Sequence, residues 1–453
     1  MRLLIVFMGF IFMGCLQPTL FAQQINHFIY FGRDRGAIQE VDFLKAEGVA
    51  GAQIKYTWEE LEPQKGGYNF QAIQEDLDFL KANGKALFIQ LQDVSFSGKY
   101  LNVPNYIMNE PIYNGGADQQ YDIPGDDESK AKKEGWVARR WDPAVRERFH
   151  LLLDTLGAAF DGEIAGINLP ETSVSFGEGK LHPPGFTFET YRDGILANMK
   201  ALKEAFPTSI ALQYANFMPG EFLPWTDRSY LRSVFQFAEA NGLAIGGPDV
   251  KVGNKAHANN GYHFIEATEE EQVICFAVQY SNYKEDLNPA TGKAATVEEI
   301  YEFAKTSLKV DYLFWENRAP FYRQAVLPFL ANLAKQTEGR SPSQTMALLF
   351  ESAKSNDPNL LKDLCPPNKS NDGDTDCICA YYAHYVPHKC PENSHNRMPW
   401  EAFVTAFKTA QLTDKITIQG NSASAPFSFG PDGKYTESMA LVKVGNNWYL
   451  AGF

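Results

Sequence analysis

A (β/α)8 TIM barrel followed by a small α+β C-terminal domain is the α/β fold class that the sequence predicts, on three observations. From Ile25 to about Lys335, short β-branched or aromatic runs alternate with longer amphipathic runs, eight times over about 310 residues. The turn after the first run, Phe31-Gly32-Arg33-Asp34-Arg35-Gly36, lacks the glycine spacing of a phosphate-binding turn, which the runner-up, a doubly wound open sheet, would show. Beyond Arg340-Ser341-Pro342 the alternation stops, and helical patterns precede a set of alternating strands.

Taken in order, the barrel strands are expected at residues 27–32, 52–56, 86–91, 164–169, 210–214, 244–246, 273–279 and 312–315. Helices are expected at 71–82, 145–160, 191–205, 230–241 and 297–308. In the first of these, Ile73, Leu77, Phe79 and Leu80 make an apolar stripe at helical spacing. Gly48, Gly84 and Gly242 each close a helical pattern, as C-caps do. Two excursions interrupt the alternation. Residues 97–141 follow strand three and carry Tyr100, Tyr106, Tyr113, Tyr121, Trp136 and Trp141. Residues 251–271 follow strand six and carry His257 and His263. Loops after barrel strands open on the catalytic face, so long ones there point to function or to a cover over the mouth.

The domains expected are a signal segment over 1–22, the barrel over 23–340 and the small domain over 341–453. Arg2 followed by the apolar run 3–14, with Ala22 before Gln23-Gln24, reads as an export signal; the run is too short to anchor in a bilayer. Phe12-Met13-Gly14-Cys15 is a loose lipobox, so lipid attachment at Cys15 is a second outcome of the same export. No later stretch reaches spanning length. In the C-terminal domain Cys365, Cys377, Cys379 and Cys390 fall close together, and export makes them candidates for two disulfides. A zinc site would add His384 and His388, but Pro387 opposes a helix that puts both on one face. Asp372-Gly373-Asp374-Thr375-Asp376 opens like a calcium loop, yet Cys377 and Ala383 stand where glycine and glutamate are required. No metal and no cofactor are expected. The element order and the terminal strand with Trp448 weakly resemble the nuclear-transport-factor-2-like class.

Composition excludes other classes. With 44% hydrophobic and 21% charged residues there is ample core material, and disordered or coiled-coil chains are ruled out. A net charge of −14 argues against a nucleic-acid partner, because nothing here would release counterions from a phosphate backbone. There is no Gly-x-Ser-x-Gly elbow, no His-Glu-x-x-His helix and no P-loop.

The most specific stretch is Trp58-Glu59-Glu60-Leu61-Glu62-Pro63-Gln64-Lys65-Gly66-Gly67-Tyr68-Asn69-Phe70. It resembles the W-x-x-L-E-P-x-x-G-x-Y-x-F pattern of the clan A glycoside hydrolases, a (β/α)8 superfamily of retaining enzymes. The likeness is tight over these residues and extends over the barrel by element order. It implies an acid/base glutamate after strand four and a nucleophile glutamate after strand seven. Glu171, in Asn168-Leu169-Pro170-Glu171, stands at the first position, with Pro170 where the pattern usually has asparagine. Strand seven departs outright: Gln279 occupies its end, and a neutral amide does not readily form or release a glycosyl ester. Glycoside hydrolysis needs two carboxyl groups. The second candidate is Glu316 at the end of strand eight, or Asp249 after strand six.

Asp93, Asn168, Gln213, Asn216, Gln279 and Asn282 lie at strand ends as hydrogen-bonding candidates for sugar hydroxyls, with Tyr214, Tyr280 and Trp315 as stacking rings. Arg33, Asp34 and Arg35 read as a salt-bridged rim or a grip on an acidic sugar. The function expected is hydrolysis of an oligo- or polysaccharide by an exported enzyme with Glu171 as general acid. The competing reading, raised by Gln279, is a catalytically inactive barrel that binds glycans.

Overall fold

The structure is a computed structural model that describes residues 25–268, 271–337, 339–361, 364, 400–444 and 446–452. The chain divides into two compact units, Gln23–Asn332 and Leu333–Phe453. The four clustered cysteines, the calcium-like loop, the export segment and Cys15 lie outside the described residues.

The first unit is a closed barrel of eight parallel strands: β1 (Asn26–Gly32), β2 (Val49–Thr57), β3 (Ala86–Gln92), β4 (Gly166–Leu169), β5 (Ile210–Tyr214), β6 (Ala244–Gly247), β7 (Ile274–Val278) and β8 (Tyr312–Glu316). Each strand pairs with the next in sequence, and β8 closes onto β1 with Glu316 opposite Tyr30. All eight expected strands are present, because a β-branched or aromatic run buried on both faces has no other compact use. Alternate residues point inward. Phe28, Tyr30, Phe88, Leu212, Tyr214, Cys275, Ala277 and Phe314 fill the barrel interior. A polar layer lies among them: Gln53 Nε2 donates to Asn168 Oδ1 at 2.9 Å and to Tyr214 Oη at 3.2 Å. Gly246 lets β6 lie against β7, since a Cβ there would fall 1.6 Å from the Cys275 carbonyl oxygen.

Helices α1 (Gln71–Ala82), α2 (Pro143–Phe160), α3 (Phe188–Ala205), α4 (Tyr230–Asn241), α5 (Val297–Thr306) and α6 (Leu327–Thr337) carry the main apolar stripes. Two begin earlier than the apolar spacing alone predicts, because their first turns are set by caps. Asp142 accepts from Ala144 and Val145 N–H ahead of Pro143, and Thr187 forms a capping box with Thr190. The excursion after β3 is not bare loop. It folds into a helix at Asn105–Asn109 and an antiparallel pair, Ala117–Asp122 with Lys132–Ala138. That pairing satisfies backbone groups that an open loop of this length would leave to water.

The Trp58–Phe70 stretch is a structural clamp. Glu62 is fully buried and accepts from Trp58 Nε1 at 2.9 Å and Gly66 N–H at 2.9 Å, and it takes an ion pair from Arg148 on α2. Phe70 packs its ring against Phe160 of the same helix. Glu62→Gln keeps the shape and removes the charge facing Arg148. It should lower unfolding stability by about 2–3 kcal/mol, read from urea midpoints.

In the second unit, helices α7 (Pro342–Lys354) and α8 (Trp400–Phe407) lie in one core with an antiparallel sheet. Its strands are β9 (Gln411–Leu412), β10 (Thr417–Gln419), β11 (Ser422–Phe429), β12 (Tyr435–Val444) and β13 (Asn447–Gly452), in the order β9-β11-β12-β13 with β10 beside β11. Period-two alternation sends Ala423, Ala425 and Phe427 inward onto Phe403 and Phe407.

Candidate active site

Glu171 lies two residues beyond β4, half-buried, and accepts from Asn216 Nδ2, which stands two residues beyond β5. Burial pushes its carboxyl up to about 7, and the negative charge of Asp249 adds to the rise. The Asn216 hydrogen bond and the positive charges of Arg140 and Lys251 act the other way. A carboxyl so placed holds its proton near neutrality, as a general acid must.

Its backbone is braced from below. Arg140 is buried and grips both oxygens of Asp93, at 2.8 and 2.6 Å. The same guanidinium donates to Tyr191 Oη at 2.8 Å and to the Glu171 carbonyl at 3.3 Å, and Tyr191 donates onward to the Thr172 carbonyl at 3.0 Å. Asp93 is thus consumed by an internal ion pair rather than turned to a sugar. Gln213 is likewise buried and donates to the Pro170 carbonyl at 2.6 Å.

Asp249 lies two residues beyond β6 and is half-buried. Burial raises its pKa; Lys251 and a hydrogen bond from Asn282 hold that rise back, while the charges of Asp286 and Glu316 add to it. Asn282, itself buried, bridges Asp249 Oδ1 at 3.1 Å and Asp286 Oδ2 at 3.0 Å, and Lys251 pairs with Asp286 at 3.4 Å. Glu316 ends β8, and its Oε2 accepts the Tyr280 backbone N–H at 2.5 Å. Strands β4 and β8 face each other across the barrel, with β6 midway between them. The charge of Asp249 bears on Glu171, and that of Glu316 bears on Asp249.

One stacking expectation fails on strand parity. Trp315 points out of the barrel, fully buried, with Nε1 3.2 Å from His27 Nδ1 and its ring against Phe329 of α6. Phe314 and Glu316, its neighbours on β8, take the inward parity. Tyr214 and Asn168 do point inward, but at the level of the closed polar layer with Gln53. Gln279 ties the end of β7 to β6, donating to the Pro248 carbonyl at 2.9 Å. Tyr280 is half-exposed, with Lys284 on its hydroxyl at 2.7 Å and the Arg318 guanidinium over its ring. At the rim, Arg35 is paired with Asp76 and Glu75 as a salt bridge, whereas Arg33 bonds Asn102 and lies over the Tyr100 ring.

Sequence reasoning missed Arg140, Tyr191, Lys251, Asp286 and Lys55. Lys55 and Gln90 are register partners, each two residues on from inward-facing Gln53 and Phe88, and Gln90 Oε1 is buried without a hydrogen-bond partner. Parity along β2 was the signal that would have found Lys55. Among the described residues no group of three or more His, Cys, Asp or Glu side chains is placed to hold a metal ion. Cys275, the cysteine among the described residues, is a buried free thiol. Among the same residues no helix is long and apolar enough to cross a membrane.

No protein-family profile matches the chain, and no curated protein matches it. Solved structures do. The catalytic domain of a β-amylase from Paenibacillus polymyxa is similar at 9% identity, covering 66% of this chain and 93% of that one, with a TM-score of 0.45. Xylanase 10B from Thermotoga maritima is similar at 13% identity over 65% of this chain and 83% of that one, TM-score 0.41. A β-galactosidase from Bacillus circulans sp. alkalophilus is similar at 9% identity over 70% and 56%, TM-score 0.47. The barrel assignment itself stands on the closed strand order.

Proposed function

We propose that the chain is an exported glycoside hydrolase that cleaves an oligo- or polysaccharide, with Glu171 as general acid and Asp249 as the second carboxylate. The observation that carries this is the pair itself: a proton-holding glutamate and a second carboxyl, Asp249, whose charge bears on it, at the open end of a (β/α)8 barrel. Glu171 protonates the leaving oxygen. Asp249, whose upward shift Lys251 and Asn282 restrain, acts on the opposite face of the sugar, as a base towards water or as a nucleophile. Glu316 holds the short helix after β7 through the Tyr280 N–H and adds negative charge near Asp249. The test is release of reducing ends from a panel of polysaccharides. Release by the wild type that is lost in Glu171→Gln and in Asp249→Asn supports the pair. Loss in Glu316→Gln with Asp249→Asn still active would move the second role to Glu316.

The pH profile gives a sharper check. Asn216 stabilises the charged form of Glu171, so Asn216→Ala raises the carboxyl's pKa further. The general acid must be protonated, and the alkaline limb of kcat/KM then moves to higher pH. An unmoved limb would mean that Glu171 does not set it.

Gln279 at the end of β7 favours a second reading, a barrel that binds glycans without cleaving them. Wild-type protein that retards on a polysaccharide gel yet releases no reducing ends from that same polysaccharide would select it.

A further inference from the structure

The loop after β5 carries three aromatic rings to which the catalytic reading gives no role. It begins at Asn216, the donor to Glu171, and Phe217 follows directly. The rings of Phe217 and Phe222 lie 13° from parallel with centroids 6.2 Å apart, and those of Phe222 and Trp225 lie 10° from parallel at 5.6 Å. Exposure rises along the row. Phe217 is half-buried, its ring T-shaped to the buried imidazole of His257; Phe222 is 44% exposed and Trp225 73%.

Hydrogen bonds to the backbone fix the loop that carries these rings. Phe222 and Thr226 exchange backbone hydrogen bonds in both directions, at 3.0 and 2.9 Å. Asn260 Oδ1 accepts Leu223 N–H at 3.1 Å. Glu221, itself buried, accepts from the backbone N–H groups of Arg228, Tyr230 and Leu231 at 2.7, 2.9 and 3.0 Å, which fixes the loop to the start of α4. An aromatic side chain stabilises a fold through burial, and an indole left mostly in water contributes little of that. A flat ring held still at the surface is what binding needs, because little conformational freedom remains to be lost.

We propose that Phe217, Phe222 and Trp225 form an aromatic track that binds a saccharide chain running outward from Glu171, with successive sugar rings laying their C–H faces on the aromatic planes. The proposal rests on the glycosidase reading and adds that the substrate is a chain of several sugars rather than a small glycoside. Parallel planes that step away from the catalytic residues suit a repeating, flat-faced ligand. Stacked nucleic-acid bases would need a basic groove as well, which a chain of net charge −14 does not favour.

The test measures affinity against chain length in full-length Glu171→Gln protein, with oligosaccharides of two to eight sugars prepared from xylan, galactan, mannan and starch. On the track, affinity climbs with length, and Trp225→Ala in that background costs long chains about tenfold more than disaccharides. Trp225→Tyr, which keeps a ring, restores most of the loss. Thermal melts of each variant check the fold, and Trp225→Tyr decides the matter where the alanine variant melts early. Affinity that does not depend on length, or an equal loss on all lengths, overturns the track. So does a concentration-dependent dimer that Trp225→Ala abolishes, since the rings would then serve a second copy of the chain. A wild type that cleaves short glycosides but shows no length dependence sinks the track alone. One that neither cleaves nor binds any member of the panel sinks the glycosidase reading with it.

Discussion

Glu171→Gln should lower kcat by about 10²–10⁴-fold, with the fold intact. The amide matches the carboxyl in shape and can keep a contact with Asn216, but it has no proton of useful acidity to give. The same substitution has an opposite effect on stability, and the sign follows from the carboxyl's pKa. Glu171 titrates near 7 in the folded chain against an ordinary value of 4.5, chiefly because burial penalises its charge. Between those two values the folded state holds a proton that the unfolded state has released, so wild-type stability falls as pH rises through that window. Glutamine has no such fall. The variant's advantage should grow from about pH 4.5 to about pH 7, then level off at roughly 3 kcal/mol at most, less where water reaches the half-buried group. Urea denaturation of both proteins at pH 4.5 and pH 8 measures it. A variant that is dead and also less stable at pH 8 would show that Glu171 is a structural residue.

The barrel was legible because hydrophobic period alone distinguishes a buried strand from a surface helix, and eight alternations leave few other architectures. The placement of Glu171 was legible for a related reason: a carboxylate just after an apolar strand must sit at a strand end. What surrounds it was harder to see. Asp93 and Arg140 are 47 residues apart, and no local spacing announces an ion pair between a strand end and the far side of an excursion. Trp315 was misplaced because its residue type was weighed without its parity; Phe314 faces the interior, so Trp315 must face the helices. Glu316 has the inward parity, yet its hydrogen bond with the Tyr280 N–H depends on the course of the loop after β7. The aromatic track escaped for a simpler reason. A Phe, a Phe and a Trp within nine residues look like core, and only the fold shows that two of them are exposed.

Arg140→Met should cost about 3–5 kcal/mol, the largest loss expected from a single substitution in the barrel. The guanidinium and the Asp93 carboxylate are both almost wholly buried, with side-chain exposures of 3% and 2%. Methionine fills much of the arginine's length but leaves the carboxylate in a dry site with neither of its two strong donors. The penalty is then the desolvation of an unpaired charge, not merely the worth of the lost contacts. A double variant separates the two. Asp93→Leu with Arg140→Met removes both charges and should recover most of the stability, since apolar replacement of a buried pair is often near neutral. Activity should not recover with it. Arg140 also donates to the Glu171 carbonyl and to Tyr191, which in turn holds the Thr172 carbonyl, so the double variant folds with Glu171 on an unbraced turn. The lost positive charge further raises the Glu171 pKa, and any residual activity should show its alkaline limb at higher pH. Stability restored together with full activity would mean that the ion pair serves the fold alone, while stability restored with kcat still depressed makes Arg140 a positioning residue for Glu171.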